Sequence, residues 1–136
     1  MNNYHELLKS SGLKATIQRL GILEELQKSG HCSIDDIYTT LKEKYPSISL
    51  ATVYKNIQTL VEKRVIIEVP ISGAKSKYEL KKQDHIHLIC QVCNSVEDER
   101  VEGVNQENLM QLAQKDSFIL SRSQINLYGV CRNCQG

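Results

Sequence analysis

Cys90-Gln91-Val92-Cys93 and Cys131-Arg132-Asn133-Cys134 are two C-x-x-C pairs separated by 37 residues. They limit the fold more than any other feature of the chain. A C-x-x-C turn aims two sulfurs at one point, and two such turns complete a tetrahedron at Zn–S distances of about 2.3 Å. Whatever lies between the pairs must then bring their turns together. Coordination deprotonates the thiols, so the energy of ion binding becomes folding energy for a small core. The same residues are compatible with a dithiol redox couple or an iron–sulfur cluster. A redox C-x-x-C normally belongs to a βαβ pattern, which is absent here. A closed four-thiolate shell has no open position, which argues against hydrolytic chemistry at this place.

With 136 residues the chain makes one ordinary domain or two small ones, and a half of about 70 residues often needs a metal or a partner subunit. The charge is nearly balanced, with 17 basic and 16 acidic residues. Any case for nucleic acid must therefore rest on local placement. No run of about 18 apolar residues marks a membrane span. The start, Met-Asn-Asn-Tyr-His-Glu, lacks the layout of a signal peptide. We therefore expect a cytoplasmic protein, where thiols stay reduced and paired cysteines read as metal ligands. Cys32, the fifth cysteine, reads as a buried, inert thiol.

The periodicity divides the chain near residue 83. Residues 4–10 predict a short helix ended by Gly12. Thr16 is the expected N-cap of a helix over 17–28, with Leu20, Leu23 and Leu26 in a stripe and Gly30 beyond its end. Ser33 opens a third helix with Ile34, Ile37, Tyr38 and Leu41 on one face, and Pro46 follows it. Ser47 or Ser49 caps a fourth, over 50–63, with Leu50, Val53, Ile57, Leu60 and Val61 facing the core. Its opposite face carries Ala51, Thr52, Tyr54, Lys55 and Gln58. Val65–Val69, a turn at Ser72-Gly73-Ala74 and Lys77–Leu80 read as a hairpin. Helices followed by a hairpin form the order of a winged helix-turn-helix, whose last helix enters the major groove. Lys63 and Arg64 could touch phosphate, although basic residues at a helix C-terminus also suit its dipole.

From residue 84 the pattern changes. Residues 85–89 and 92–101 read as strands, 105–116 as a helix with Leu109, Leu112 and Ala113 on one side, and 118–130 as a stretch holding a strand broken at Gly129. The helix is expected to pack on a small sheet. That sheet has no obvious gatekeeper at its edge, so pairing with a second subunit is a natural outcome. The fold class is thus α+β: a winged helix-turn-helix domain and hinge over 1–83, and a C-terminal α/β dimerisation and metal-binding domain over 84–136.

His85 and His87 are two apart, so on a strand they face the same side. Glu79, Asp84, Glu97, Asp98 and Glu99 are the acidic groups nearby. A site of imidazole nitrogens and carboxylate oxygens without thiolate suits Fe(II), Mn(II) or Zn(II). No H-E-x-x-H and no nucleophile–histidine–acid grouping is evident, and we expect no enzyme. The rival classes are a zinc-containing thiol oxidoreductase, a metallo-hydrolase and a zinc-stabilised interaction module without a DNA role.

The first half contains Leu13-Lys14-Ala15-Thr16 with Gln18-Arg19, His31 with Asp35-Asp36-Ile37-Tyr38, and Ala51-Thr52-Val53-Tyr54. The second contains Asp84-His85-Ile86-His87-Leu88-Ile89-Cys90 and Tyr128-Gly129-Val130-Cys131. In this combination the chain resembles the ferric uptake regulator family of bacterial metal-dependent repressors, and most closely its peroxide-sensing branch. The resemblance implies that Cys90, Cys93, Cys131 and Cys134 hold a structural zinc. It also implies a regulatory Fe(II) or Mn(II) on His31, Glu79, His85, His87 and Asp98. Arg19, Ala51, Thr52, Tyr54, Lys55 and Gln58 would face double-stranded operator DNA, an inverted repeat read by a homodimer. Asp98 falls where the peroxide sensor has aspartate, whereas Glu79 falls where the iron sensor has glutamate. Another site of the family uses histidines shortly before the last strand. Ser121, Arg122, Ser123 and Gln124 supply none, so that site is expected to be missing. The resemblance implies a repressor that senses hydrogen peroxide, with oxidation of a ligand histidine, His31 or His85, releasing DNA. An iron- or zinc-responsive repressor is the alternative within the family.

Overall fold

In the computed structural model the described residues are 3–82, 85–100 and 106–136, the side chains of Gln106 and Glu107 excepted. The expected boundary near residue 83, Asp84, the end of the expected strand at Val101 and the expected helix start at 105 lie outside them. The chain forms two compact units, Met1–Lys81 and Lys82–Gly136.

The first unit contains α1 (Tyr4–Ser10), α2 (Ile17–Ser29), α3 (Ile34–Lys44), α4 (Leu50–Glu62), β1 (Ile66–Val69) and β2 (Lys77–Leu80). Each helix starts where a short polar side chain satisfies an otherwise unpaired backbone N–H. Asn3, Thr16, Ser33 and Ser49 accept from the N–H groups of Glu6, Arg19, Asp36 and Thr52 at 3.1–3.2 Å. Such a cap is worth about 1 kcal/mol. Gly30 closes α2 with φ at +83°, the left-handed region that glycine enters without cost. Ile22, Leu23 and Leu26 of α2, Ile37 and Leu41 of α3, and Val53, Ile57 and Leu60 of α4 are buried together with Val65 and Ile66. The antiparallel hairpin pairs Ile66 with Leu80 and Val69 with Lys77. Three packed helices followed by this hairpin form a winged helix-turn-helix. Leu50 departs from the expected core face: at the first position of α4 it is 44% exposed, one turn short of the packed layer.

The second unit contains β3 (Ile86–Cys90), β4 (Val96–Glu99), α5 (Gln106–Gln114), β5 (Ile125–Gly129) and a 3-10 turn at Arg132–Cys134. Its sheet has the order β4-β3-β5, with β4 antiparallel and β5 parallel to β3. The expected strand from Val92 begins only at Val96. The N–H groups of Val92 and Cys93 turn toward Cys90 Sγ instead of a neighbouring strand, and Asn94 takes a left-handed conformation with φ at +62°. Gly129 does not break its strand but ends it, its carbonyl accepting from the Gln91 N–H at 2.8 Å. On the expected inward side of α5, Leu109 and Ala113 are half-buried, whereas Leu112 is 61% exposed. The sheet edge is not unguarded throughout, because β4 carries exposed Glu97 and Glu99. No helix among the described residues is long and apolar enough to cross a membrane.

The core layer predicts a sharp contrast along α4. Ile57→Ala should cost about 2–5 kcal/mol through lost burial and a cavity, whereas Leu50→Ala should change stability by no more than about 0.5 kcal/mol. Urea unfolding followed by helical circular dichroism measures both.

Candidate metal centres and nucleic-acid face

The four sulfurs of Cys90, Cys93, Cys131 and Cys134 lie within 4.8 Å of one another. The β3–β5 pairing brings the two turns together: Cys90 ends β3 beside Gly129, two residues before Cys131. Cys93 Sγ and Cys131 Sγ are 3.9 Å apart. That is far beyond a disulfide bond and close to the roughly 3.8 Å edge of a tetrahedron with 2.3 Å metal–sulfur bonds. The N–H groups of Cys131, Cys93 and Val92 reach Cys90 Sγ at 3.4–3.5 Å. These N–H groups, that of Cys131 foremost, bring the Cys90 thiol down to about 6. Cys93 is also lowered, chiefly by the Ser95 hydroxyl. Cys134 is pushed up to about 12, first by Cys131 and then by burial and the other thiols. Four adjacent thiols cannot all ionise without a compensating cation, and a dication removes that conflict. The four thiols fit one structural zinc. Cys32 stands apart in the other unit, its thiol pushed up to about 12 by burial, with Glu25 and Asp36 adding to the effect. It is held as an inert core group.

In the first unit, a single antiparallel bridge joins Cys32 to Tyr78, with N–H to carbonyl distances of 3.1 and 2.8 Å. The residues on either side, His31 and Glu79, are thereby placed together. His31 Nε2 lies 2.7 Å from Glu79 Oε2, and the Glu79 side chain is fully buried. A buried carboxylate carries a heavy desolvation cost unless a cation or several donors meet it.

In the second unit, His85 and His87 do face one side. Their Nε2 atoms are 2.9 Å apart, and Asp98 Oδ1 lies 3.5 and 3.7 Å from them. Metal–nitrogen and metal–oxygen bonds of about 2.1 Å place adjacent octahedral ligands roughly 3 Å apart. The three donor atoms therefore fit one first-row dication. Glu97 and Glu99 project from the opposite side of β4 to Asp98. Lys82 Nζ pairs with Asp98 Oδ2, and Asn126 Oδ1 lies 2.8 Å from His87 Nδ1. Sequence reading missed both residues. Nothing in the spacing reveals that β5, 39 residues away, pairs in parallel with β3.

On α4, Ala51, Tyr54, Lys55 and Gln58 recur at i, i+3, i+4 and i+7 and are all exposed, opposite buried Val53, Ile57 and Leu60. Thr52 is half-buried and its hydroxyl is engaged with Ser49 at 2.9 Å. Arg19 is not part of this row. Its guanidinium donates to Asn56 Oδ1 and to the Lys14 carbonyl, both at 3.1 Å, tying α2 to α4.

A winged helix with an exposed polar face, in one chain with three sets of metal donors, defines a metal-responsive repressor. Residues 10–128 match the ferric uptake regulator family, and the chain belongs to that family of transcriptional regulators, which are not enzymes. It is 35% identical over 130 residues to the peroxide operon regulator of Bacillus subtilis, covering 95% of this chain and 89% of that protein. The crystal structure of the Campylobacter jejuni peroxide stress regulator matches with a TM-score of 0.73 at 33% identity, covering 98% of this chain and all of that one. A zinc uptake regulator complexed with zinc and DNA matches with a TM-score of 0.70 at 26% identity, covering 99% and 97%.

The cysteine cluster is expected to retain about one equivalent of zinc through dialysis against a chelator. Cys131→Ser should lose that zinc and, with it, the ordered sheet of the second unit. Atomic emission together with hydrogen exchange on β3 measures both effects.

Proposed function

We propose that the chain is a peroxide-responsive repressor that binds an inverted-repeat operator as a homodimer. The observation that carries this reading is the pair of incomplete nitrogen–oxygen donor sets. His31 with Glu79 in one unit, and His85 and His87 with Asp98 in the other, each offer too few ligands for a first-row dication. One Fe(II) or Mn(II) taking ligands from both sets would restrain the winged helix relative to the sheet unit. The absence of thiolate from both sets suits these ions, and the similarity to peroxide regulators of Bacillus subtilis and Campylobacter jejuni favours peroxide as the signal.

Ala51, Thr52, Tyr54, Lys55 and Gln58 would enter the major groove, with Arg19 holding Asn56 of α4. Two copies would present two such helices to half-sites a helical turn or more apart. The exposed apolar side chains of the second unit support pairing of copies there, with Leu127, Phe118 and the 94% exposed Ile119 among them. The zinc uptake regulator seen with DNA supports the choice of DNA as partner. The ion stabilises the DNA-ready arrangement only through its preference for it. A 100-fold preference supplies about 2.7 kcal/mol.

Bound Fe(II) would supply the electron-transfer chemistry that peroxide requires, which Mn(II) on the same ligands would not. The chain contributes the group that is oxidised. His31 or His85 gains one oxygen atom from hydrogen peroxide, whose other oxygen leaves as water. The modified ring is a poorer ligand, the two units are released from each other and the operator is freed.

An iron-responsive repressor is the rival reading, and Glu79, the longer carboxylate, favours it. Operator binding with Fe(II) or Mn(II), each with and without peroxide, separates the two. We expect both ions to promote binding and peroxide to abolish it only with Fe(II). Mass spectrometry should then find one added oxygen on a peptide containing His31 or His85. Binding that tracks iron and ignores peroxide would select the rival.

A further inference from the structure

His87 sits in register with Asp98 on β4 and with Asn126 on β5. Side chains in register on neighbouring strands stand on the same face. The three therefore form one row across the sheet, with His87, only 1% exposed, at its centre. The two nitrogens of the ring are used differently. Nε2 points toward His85 Nε2 and Asp98 Oδ1. Nδ1 lies 2.8 Å from the Asn126 amide oxygen. Asn126 Nδ2 donates to Gln124 Oε1 at 2.9 Å, which sets the amide so that its oxygen, not its nitrogen, faces the ring. An amide oxygen can only accept, so Nδ1 carries the hydrogen and donates it. A neutral imidazole has one N–H, and Nε2 is left with its lone pair directed into the donor set.

We propose that Asn126, oriented by Gln124, is a positioning residue that selects the Nδ1–H tautomer of His87 and so sets how tightly the regulatory ion is held. The proposal rests on His87 being a ligand of that ion. Groups that accept the second N–H of a ligating histidine fix its orientation, and their loss typically lowers metal affinity about 10–100-fold. A neutral amide is the weaker form of this device. A carboxylate at the same place would accept the same bond with charge assistance and make the ring a stronger donor. Gln124 is exposed at the start of β5. The orienting bond is thus made at the surface, while the ligand it controls is buried.

The test uses full-length protein with zinc on its cysteines and nitrogen-15 in its histidines. Long-range proton–nitrogen correlation spectra of the protein free of regulatory ion should show the His87 hydrogen on Nδ1. Asn126→Ala should lose this preference and bind Mn(II) about 10–100-fold more weakly. Asn126→Asp should keep the tautomer and bind Mn(II) at least as tightly as the wild type. Zinc content should be unchanged in both. A wild-type spectrum with the hydrogen on Nε2 overturns the proposal, and this reading decides even if Asn126→Ala does not fold. An unchanged tautomer and Mn(II) affinity in Asn126→Ala also overturns it. His87→Ala separates the two levels. If that variant loses Mn(II) while Asn126→Ala does not, only the positioning role falls. If His87→Ala binds Mn(II) normally, the ligand assignment falls with it.

Discussion

Pairing of β3 with a neighbour on each side is the constraint from which the second unit follows. One strand of five residues, Ile86–Cys90, holds both donor sets in place. At its second position, His87 meets Asp98 across one ladder and Asn126 across the other. At its end, Cys90 lies beside the turn that leads to Cys131, and the Cys131 N–H reaches its sulfur at 3.4 Å. The thiol cluster and the histidine row thus share one strand, three residues apart. Among the described residues of this unit, Ile86 and Ile89 are the large apolar side chains that are buried. A small core is where an ion contributes most to folding. The ion on the cysteines stabilises the sheet, and the sheet holds the histidines in register.

Within each unit, the nitrogen and oxygen donors lie close enough to one another for a cation to meet several of them at once. Glu79 is fully buried against His31, and the Nε2 atoms of His85 and His87 face each other at 2.9 Å. Two imidazole nitrogens at that distance share a proton or a metal between them. In the proposed function ion binding is coupled to the placement of the α4 faces on DNA. By linkage, operator DNA must strengthen ion binding by the same factor that the ion strengthens DNA binding.

Local signals made much of the first unit legible. Thr16, Ser33 and Ser49 cap the helices they were expected to cap, and the apolar spacing of Val53, Ile57 and Leu60 marks the buried face of α4. The cysteine cluster was legible because a C-x-x-C turn carries its geometry within four residues. Misjudged details share one cause, since each depends on tertiary context. Leu50 continues the pattern of its helix but lies past the edge of the core. Leu112 continues the apolar side of its helix yet is 61% exposed. Asn126 carries no signal of its own, because its relation to His87 exists only through a parallel pairing of distant segments. His31 and Glu79 were joined by resemblance, and the physical reason, the bridge between Cys32 and Tyr78, is visible only in the fold.

The central claim is that one ion takes ligands from both units. Pulsed electron paramagnetic resonance of Mn(II) bound to protein labelled with nitrogen-15 histidine tests it directly. The account predicts coupling to the imidazoles of His31, His85 and His87, with the first of these lost in His31→Ala along with most of the affinity. A His31→Ala protein whose spectrum and Mn(II) affinity match the wild type would contradict it.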